Sequence, residues 1–426
     1  VKTSDANRNS VTYTYDAEAE MISRTDGMGN TWRYEYDGNG RLVKTTDPMG
    51  GVVSTAYDKV GRTDSVTDAN GGVTTYIYDG VGNTTSVKDA LGKSTQNVYD
   101  ANGNLISATD RNGDTTRYEY DKNNRLTRVT DALGGVTSYT YDALGQITKT
   151  VSPAGNETSA VYDNMGRTTS STNARGFATQ YEYDILGRVA TMTNPDGTTV
   201  SYPYDANGQI LTSTNELGNV TSYTYDAVGR LTSMTDVMGG KTSNAYDAVG
   251  NLISTTDPMG HTTSYTYNAN NAIASVTDPA GGTVRYTYNG NGQLASSEDA
   301  NGGVTSYTYY ANGNQASVTD AEGNTTSYTY DKLDRLTQVK NGRGYVTKYT
   351  YDAEGRQTSD TNGEGKTQSM TYDALGRMTA LTDRNGHTWS YIYDADGRMT
   401  ASRDPLGNTT SYTYDENGNL TAQTSP

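Results

Sequence analysis

The sequence predicts an all-β fold: tandem 21-residue β-hairpin repeats forming a long antiparallel strip coiled into a hollow shell or tube. Three observations predict it. Stepping by 21 from Tyr15 lands on Tyr twenty times in succession, through Tyr36, Tyr141, Tyr183, Tyr225, Tyr351 and Tyr393 to Tyr414. A second Tyr stands two residues before this anchor in fifteen repeats, so the two columns hold 35 of the 37 tyrosines. Two glycine columns run in phase with them. Gly lies four after the anchor in 16 repeats, and fourteen after it in all nineteen complete cases, among them Gly29, Gly50, Gly134, Gly239, Gly260, Gly386 and Gly407. A net charge of -16 with scarce aliphatic residues would by itself suggest disorder. A period kept through the whole chain without insertion or deletion rejects that reading.

Each repeat reads as four elements in order. The first is a strand of the form Thr-x-Tyr-x-Tyr, such as Thr221 to Tyr225, whose period-2 alternation of β-branched and aromatic residues marks one packed face. Next comes Asp-x-x-Gly, as in Asp226 to Gly229. Asp at the first position and Gly at the fourth fit a type I turn running into a left-handed residue. The residue opening this turn is Asp in 17 repeats; the exceptions are Asn268, Asn289 and Tyr310. Where Gly is missing from the fourth position, Asn124, Asn271 and Asp334 tolerate positive φ better than other residues, and Ala19 is the one misfit. The third element is a strand such as Arg230 to Thr235. A second Asp-x-x-Gly turn follows, with Pro48, Pro153, Pro195, Pro258, Pro279 and Pro405 at its second position, where the ring's fixed φ suits the turn. No segment carries helical periodicity.

The odd period adds a constraint. Cross-strand partners share a face, so two turns of identical register would flip the tyrosines in alternate repeats. Either the two turns differ in register, one carrying a G1-type bulge, or a strand holds a bulge. A lone repeat cannot bury enough to offset the entropy of ordering its backbone, so neighbours must stack. Twenty repeats give roughly forty strands, far more than a twisted sheet holds flat, which predicts coiling. Ladders of Tyr, Thr and Leu would replace a central aliphatic core.

Composition excludes several functions. With no Cys there are no disulfides, thiolate metal sites or Cys nucleophiles. No stretch approaches the ~18 apolar residues of a membrane helix. An acidic chain without basic runs argues against nucleic acid as partner. His261 and His387 are the only histidines, and both follow the Gly of a second turn, where they read as surface variation rather than as ligands or bases. Segments such as Asp394 to Gly397 and Asp110 to Gly113 resemble fragments of calcium loops, but no complete loop with a closing Glu exists. Turn chemistry accounts for them first, and weak ladder-type cation binding is the second reading. Arg41, Arg62, Arg167, Arg230, Arg377 and Arg398 form a column five after the anchor, read as ion pairs to turn aspartates before a ligand face. Trp32 and Trp389 sit four before an anchor, where packing within the strip takes precedence over sugar binding. No catalytic residue, metal site or cofactor is expected. The tyrosines and glycines named above are assigned structural roles.

The string Tyr-Asp-x-x-Gly-Arg-Leu with Thr-Asp-x-x-Gly downstream, as at Tyr225 to Leu231 and, with Val in place of Leu, Tyr183 to Val189, closely resembles the YD repeat of the Rhs family. That family includes bacterial Rhs and wall-associated proteins, the C components of Tc toxins, and the YD shell of teneurins. The resemblance covers essentially all 426 residues as one array of about twenty repeats. It implies a hairpin strip spiralling into a hollow shell, which in the toxins encloses a cytotoxic C-terminal cargo and in teneurins belongs to an adhesion module. Nothing after Tyr414 resembles the self-cleaving core segment of many toxin relatives, and no capping repeat precedes Val1. An excerpt of a longer chain without end caps is therefore expected. The function expected is a non-enzymatic structural repeat, secreted or on a bacterial cell surface, that encapsulates a toxin or other cargo. The alternative is an extracellular fibre or adhesion structure, which an unbroken period favours. Partners would be flanking parts of the same polypeptide, an enclosed cargo, neighbouring filament subunits or a cell-surface ligand.

Overall fold

In the computed structural model all 426 residues are described, and 41 β-strands with no helix account for the regular structure. The strands belong to one open sheet and run antiparallel to their chain neighbours. A standard repeat is a six-residue strand ending on the anchor tyrosine, Val220–Tyr225, and a five-residue strand, Leu231–Thr235.

Both turns of a repeat close in the same way. In the first, Gly229 N–H donates to Asp226 O and Asp226 N–H to Arg230 O; in the second, Gly239 donates to Asp236 and Asp236 to Gly240. This is the pattern of a type I turn completed by a G1 bulge. The fourth residue is left-handed throughout, with φ of +92° at Gly229 and +84° at Gly239. The substitutes comply as well: Asn124, Asn271 and Asp334 lie near φ +60°, and Ala19 adopts +66° without the relief that a short polar side chain provides. The turn dictates the conformation even where the residue resists it.

Since the turns are alike, the odd period is absorbed in a strand. Thr224 pairs with Ser233 but Tyr225 pairs with Leu231, so the register slips by one residue beside the anchor. The same slip recurs beside Tyr36, Tyr141 and Tyr393. Across the second turn no slip occurs, as Ser233↔Ser243 and Met234↔Thr242 show. One bulge per repeat therefore restores the facing, and both tyrosine columns share a face with Trp32 and Trp389. That face is half-buried, while the intervening residues of the longer strand, such as Glu35 and Thr224, are exposed.

No side chain is fully buried, and Val200, 8% exposed, is the one buried hydrophobic residue. A fully sequestered anchor, on which a loss of roughly 3 kcal/mol for Tyr→Ala would rest, is not what the strip provides. The pattern falters once. Pro203 has no N–H for the ladder, and the strand there shortens to Thr199–Ser201 with an isolated bridge at Tyr204↔Ile210.

The chain forms two compact units. One comprises residues 1–75, 89–91 and 203–346; the other comprises 76–88, 92–202 and 347–426. Within each unit, two stretches of strip lie edge to edge. Second turns of the earlier stretch meet first turns of the later one, with hydrogen-bonded residues 240 to 244 apart and the turns themselves offset by 242. This spacing is about eleven and a half repeats, and the half repeat is what sets one turn column against the other.

Candidate functional site

The anchor tyrosines form a ladder. Each hydroxyl reaches back fifteen residues to a carbonyl of the preceding repeat: Tyr36 donates to Met21 O at 3.0 Å, Tyr141 to Leu126 O at 2.6 Å, Tyr225 to Ile210 O at 2.9 Å, and Tyr414 to Met399 O at 2.7 Å. The accepting carbonyl sits where the strand bulge leaves the backbone off the regular pairing, so bulge and tyrosine complete one another. Burial raises the hydroxyl pKa of Tyr141, Tyr225 and Tyr288 above the usual 10.0.

The arginine column binds in two directions. Arg230 Nε donates to Asp226 Oδ2 at 2.6 Å within its own turn, and its guanidinium lies 4.9 Å from the ring centre of Tyr246 in the next repeat. Arg41 over Tyr57, Arg167 over Tyr183, Arg377 over Tyr393 and Arg398 over Tyr414 repeat the arrangement. Arg125, Arg230, Arg356, Arg377 and Arg398 also donate through Nη1 to the carbonyl of the next first-turn aspartate. These arginines staple successive repeats, a use that sequence spacing revealed only in part.

Turn carboxylates are occupied by the turns. Asp226 Oδ1 accepts from Val228 N and Arg230 N, and Asp26 Oδ1 from Met28 N and Asn30 N. The side-chain hydrogen bond from Arg41 foremost holds Asp37 below its usual pKa, and that from Asn83 does the same for Asp79. No group of three or more His, Asp or Glu side chains is placed to hold a metal ion. His261 Nδ1 lies 3.0 Å from Asp257 Oδ2 and His387 Nδ1 3.1 Å from Asp383 Oδ2, each exposed beside its own turn. Both tryptophans are half-buried, and Arg24 lies 4.9 Å from the ring centre of Trp32.

The seam between stretches 242 residues apart is the feature that spacing did not single out. In the first unit Asn7 donates to Asp247 at 2.9 Å, Asn270 to Asp26 at 2.8 Å, and Asn291 to Asp47 at 2.9 Å. In the second, Asp396 accepts from Ser152 Oγ, Ala154 N and Asn156 Nδ2 at 3.0, 2.8 and 2.7 Å. Arg175 reaches both Asp415 and Asn417. Burial pushes the Asp247 carboxyl up, but hydrogen bonds from Asn7 and Asn251 outweigh it and hold the group at about 2. A groove of about 490 Å³, lined by Asp5, Arg24, Asp26, Trp32 and Asn270 among others, runs along the seam of the first unit. The signal that could have exposed the seam was present in the first-turn column, in the exceptions Asn268, Asn289 and Tyr310.

Comparison with curated proteins finds no match. Solved structures of toxin complexes share the fold. The TcdB2-TccC3 complex without its hypervariable C-terminal region superposes with a TM-score of 0.69 at 17% identity, over 98% of this chain and 26% of that one. TcdB2-TccC3-TEV gives 0.58 at 18% identity, over 96% of this chain and 27% of that one. The Photorhabdus luminescens Tc holotoxin pore carrying a TccC3 mutation gives 0.55 at 16%, over 98% and 29%. This chain thus spans between a quarter and a third of the length of those it matches. The profile of the family described as RHS Repeat matches thirteen segments: residues 20–52, 57–94, 99–135, 120–157, 162–199, 204–240, 246–283, 267–304, 309–346, 331–367, 351–388, 372–409 and 393–426. The hairpin period, the tyrosine ladder and these matches along the whole length together place the chain in the RHS-repeat family.

Proposed function

We propose that this chain is a non-enzymatic wall segment of a secreted or cell-surface protein, and that the wall encloses a toxin or other cargo carried by the same polypeptide. The observation that carries the reading is the seam. Hydrogen bonds tie second turns to first turns 242 residues away in each unit, so the strip meets its own edge and makes a surface wider than one hairpin. Such a surface separates two volumes, which suits a container. The similarity to TcdB2-TccC3 complexes supports it, and the scarcity of aliphatic core fits a wall that is one sheet thick.

A second reading has its own support. The offset of 242 does not drift along the chain, and a strip of constant pitch extends without closing, as a fibre would. Limited proteolysis of the natural full-length protein, with fragments identified by mass spectrometry, separates the two. The container reading expects segments outside the repeats to resist protease until the strip unfolds. Digestion of those segments at the rate of an unfolded peptide, with the repeats still intact, overturns it. Continuous filaments in electron micrographs of that material would then favour the fibre.

A further inference from the structure

We infer that the turn residues facing one another across the seam are compensating pairs, which make the two edges of the strip a complementary interaction surface for one another. In the first-turn column the opening Asp is lost only at Asn268, Asn289 and Tyr310. These three are consecutive, and at the seam spacing of 242 they stand against second turns that keep Asp26, Asp47 and Asp68. In the second unit the polarity is reversed. There the second turns open with Ser152 and Asn173, and the first turns facing them keep Asp394 and Asp415. One edge gives up its carboxylate where the other retains it.

Turn chemistry does not account for this placement. Asn268 Oδ1 accepts from Asn270 N at 2.9 Å and Ala272 N at 3.0 Å, as Asp does elsewhere, so the exchange leaves the turn intact. Its remaining consequence is one negative charge fewer on the edge that Asp26 faces across the seam. Two residues further along these turns, Asn270 and Asn291 present amide donors to Asp26 and Asp47 in charge-assisted bonds. At two of the four turn pairs where both edges keep Asp, an Asn stands between them: Asn7 donates to Asp247, and Asn112 donates to Asp352 at 3.4 Å while its Oδ1 accepts from Ala353 N; the other two, Asp89 with Asp331 and Asp131 with Asp373, carry Leu91 and Leu133 at that position.

Shape follows the same pairing. A Cβ on Gly27 would lie 2.5 Å from Ala269 O, and one on Gly290 would lie 3.1 Å from Pro48 Cβ. Neither glycine needs a left-handed backbone, so close approach at the seam is what selects them. The partner this surface fits is another stretch of the same kind of strip, with amide or hydroxyl donors at the turns where its own turns carry carboxylates.

A double-mutant cycle tests the pairing by thermal unfolding of the intact chain. Asn270→Asp sets two carboxylates together and is expected to lower the midpoint by a few degrees, with the loss shrinking at high salt. Asn39→Asp makes the same exchange in a first turn away from the seam and is expected to leave the midpoint unchanged. Adding Asp26→Asn to Asn270→Asp restores a donor opposite a carboxylate, and at least half of the loss should return. The inference is overturned if Asn270→Asp behaves like Asn39→Asp, or if the double variant loses as much as the two singles together. Should Asn270→Asp fail to fold, Ser152→Asp with and without Asp396→Asn reads the same coupling in the second unit.

Discussion

At the scale of single residues, tyrosine does two jobs that phenylalanine cannot combine. Its ring lies on a half-buried face, and its hydroxyl caps a carbonyl beside the neighbouring strand's bulge, as Tyr246 does at Leu231 O. Tyr225→Phe keeps the ring and strands the acceptor Ile210 O, so a loss of about 1 kcal/mol is expected. Tyr225→Ala should cost more, about 2 kcal/mol, because partial burial limits what the ring contributes. Denaturant titrations of the two variants check the order, and equal losses would show that the hydroxyl matters little. Glycine is a separate case. Around Gly239 nothing lies within 4 Å of an added Cβ, so only its φ of +84° resists substitution. Gly239→Val is expected to lose about 1–3 kcal/mol through backbone strain alone. Gly239→Asn should lose less, since Asn124 and Asn271 already hold that conformation in equivalent turns.

The repeat as an element was legible in its parts but not in one joint. Strand and turn boundaries followed from Tyr-x-Tyr and Asp-x-x-Gly because those strings constrain φ and facing locally. The parity argument required a compensating irregularity somewhere in each repeat and left two places open. Its position beside the anchor, with identical turns on either side, depends on which carbonyl the tyrosine hydroxyl can reach from the next strand. That is a contact between repeats, invisible within one. Parity also has an experimental consequence. Deleting the single residue Thr224 from the longer strand, which holds no spare residue, puts Tyr223 and Tyr225 on opposite faces, so large destabilisation is expected. Deleting the 21 residues 142–162 preserves facing, and circular dichroism should show a folded sheet. A well-folded Thr224 deletion would show that facing is not enforced.

At the scale of the whole molecule, charge and hydroxyl columns set the pH range of stability. The anchors whose pKa is raised in the fold, such as Tyr141, Tyr225 and Tyr267, contribute stability that is complete below pH 10 and lost as pH rises through their folded values. Turn aspartates with lowered pKa act in the opposite sense. Their contribution is present above the ordinary Asp value and disappears as pH falls through the folded one, which is about 2 for Asp247. Alkaline unfolding is therefore expected to track tyrosinate absorbance, with the sheet signal lost in the same interval above pH 10. The acid limb should extend below pH 4. An alkaline transition that leaves the sheet intact after the tyrosines ionise would remove the ladder from the list of stabilising features.

The period, the strands, the left-handed turn positions and the family were all readable from residue order, because each is encoded within 21 residues. Tertiary structure decided where the bulge falls and how far along the chain the strip meets its own edge. That offset accumulates from small twists in every hairpin, and no single repeat carries the sum. The traces it leaves in the sequence are Asn268, Asn289, Tyr310, Ser152 and Asn173, which look like noise until residues 242 apart are set side by side.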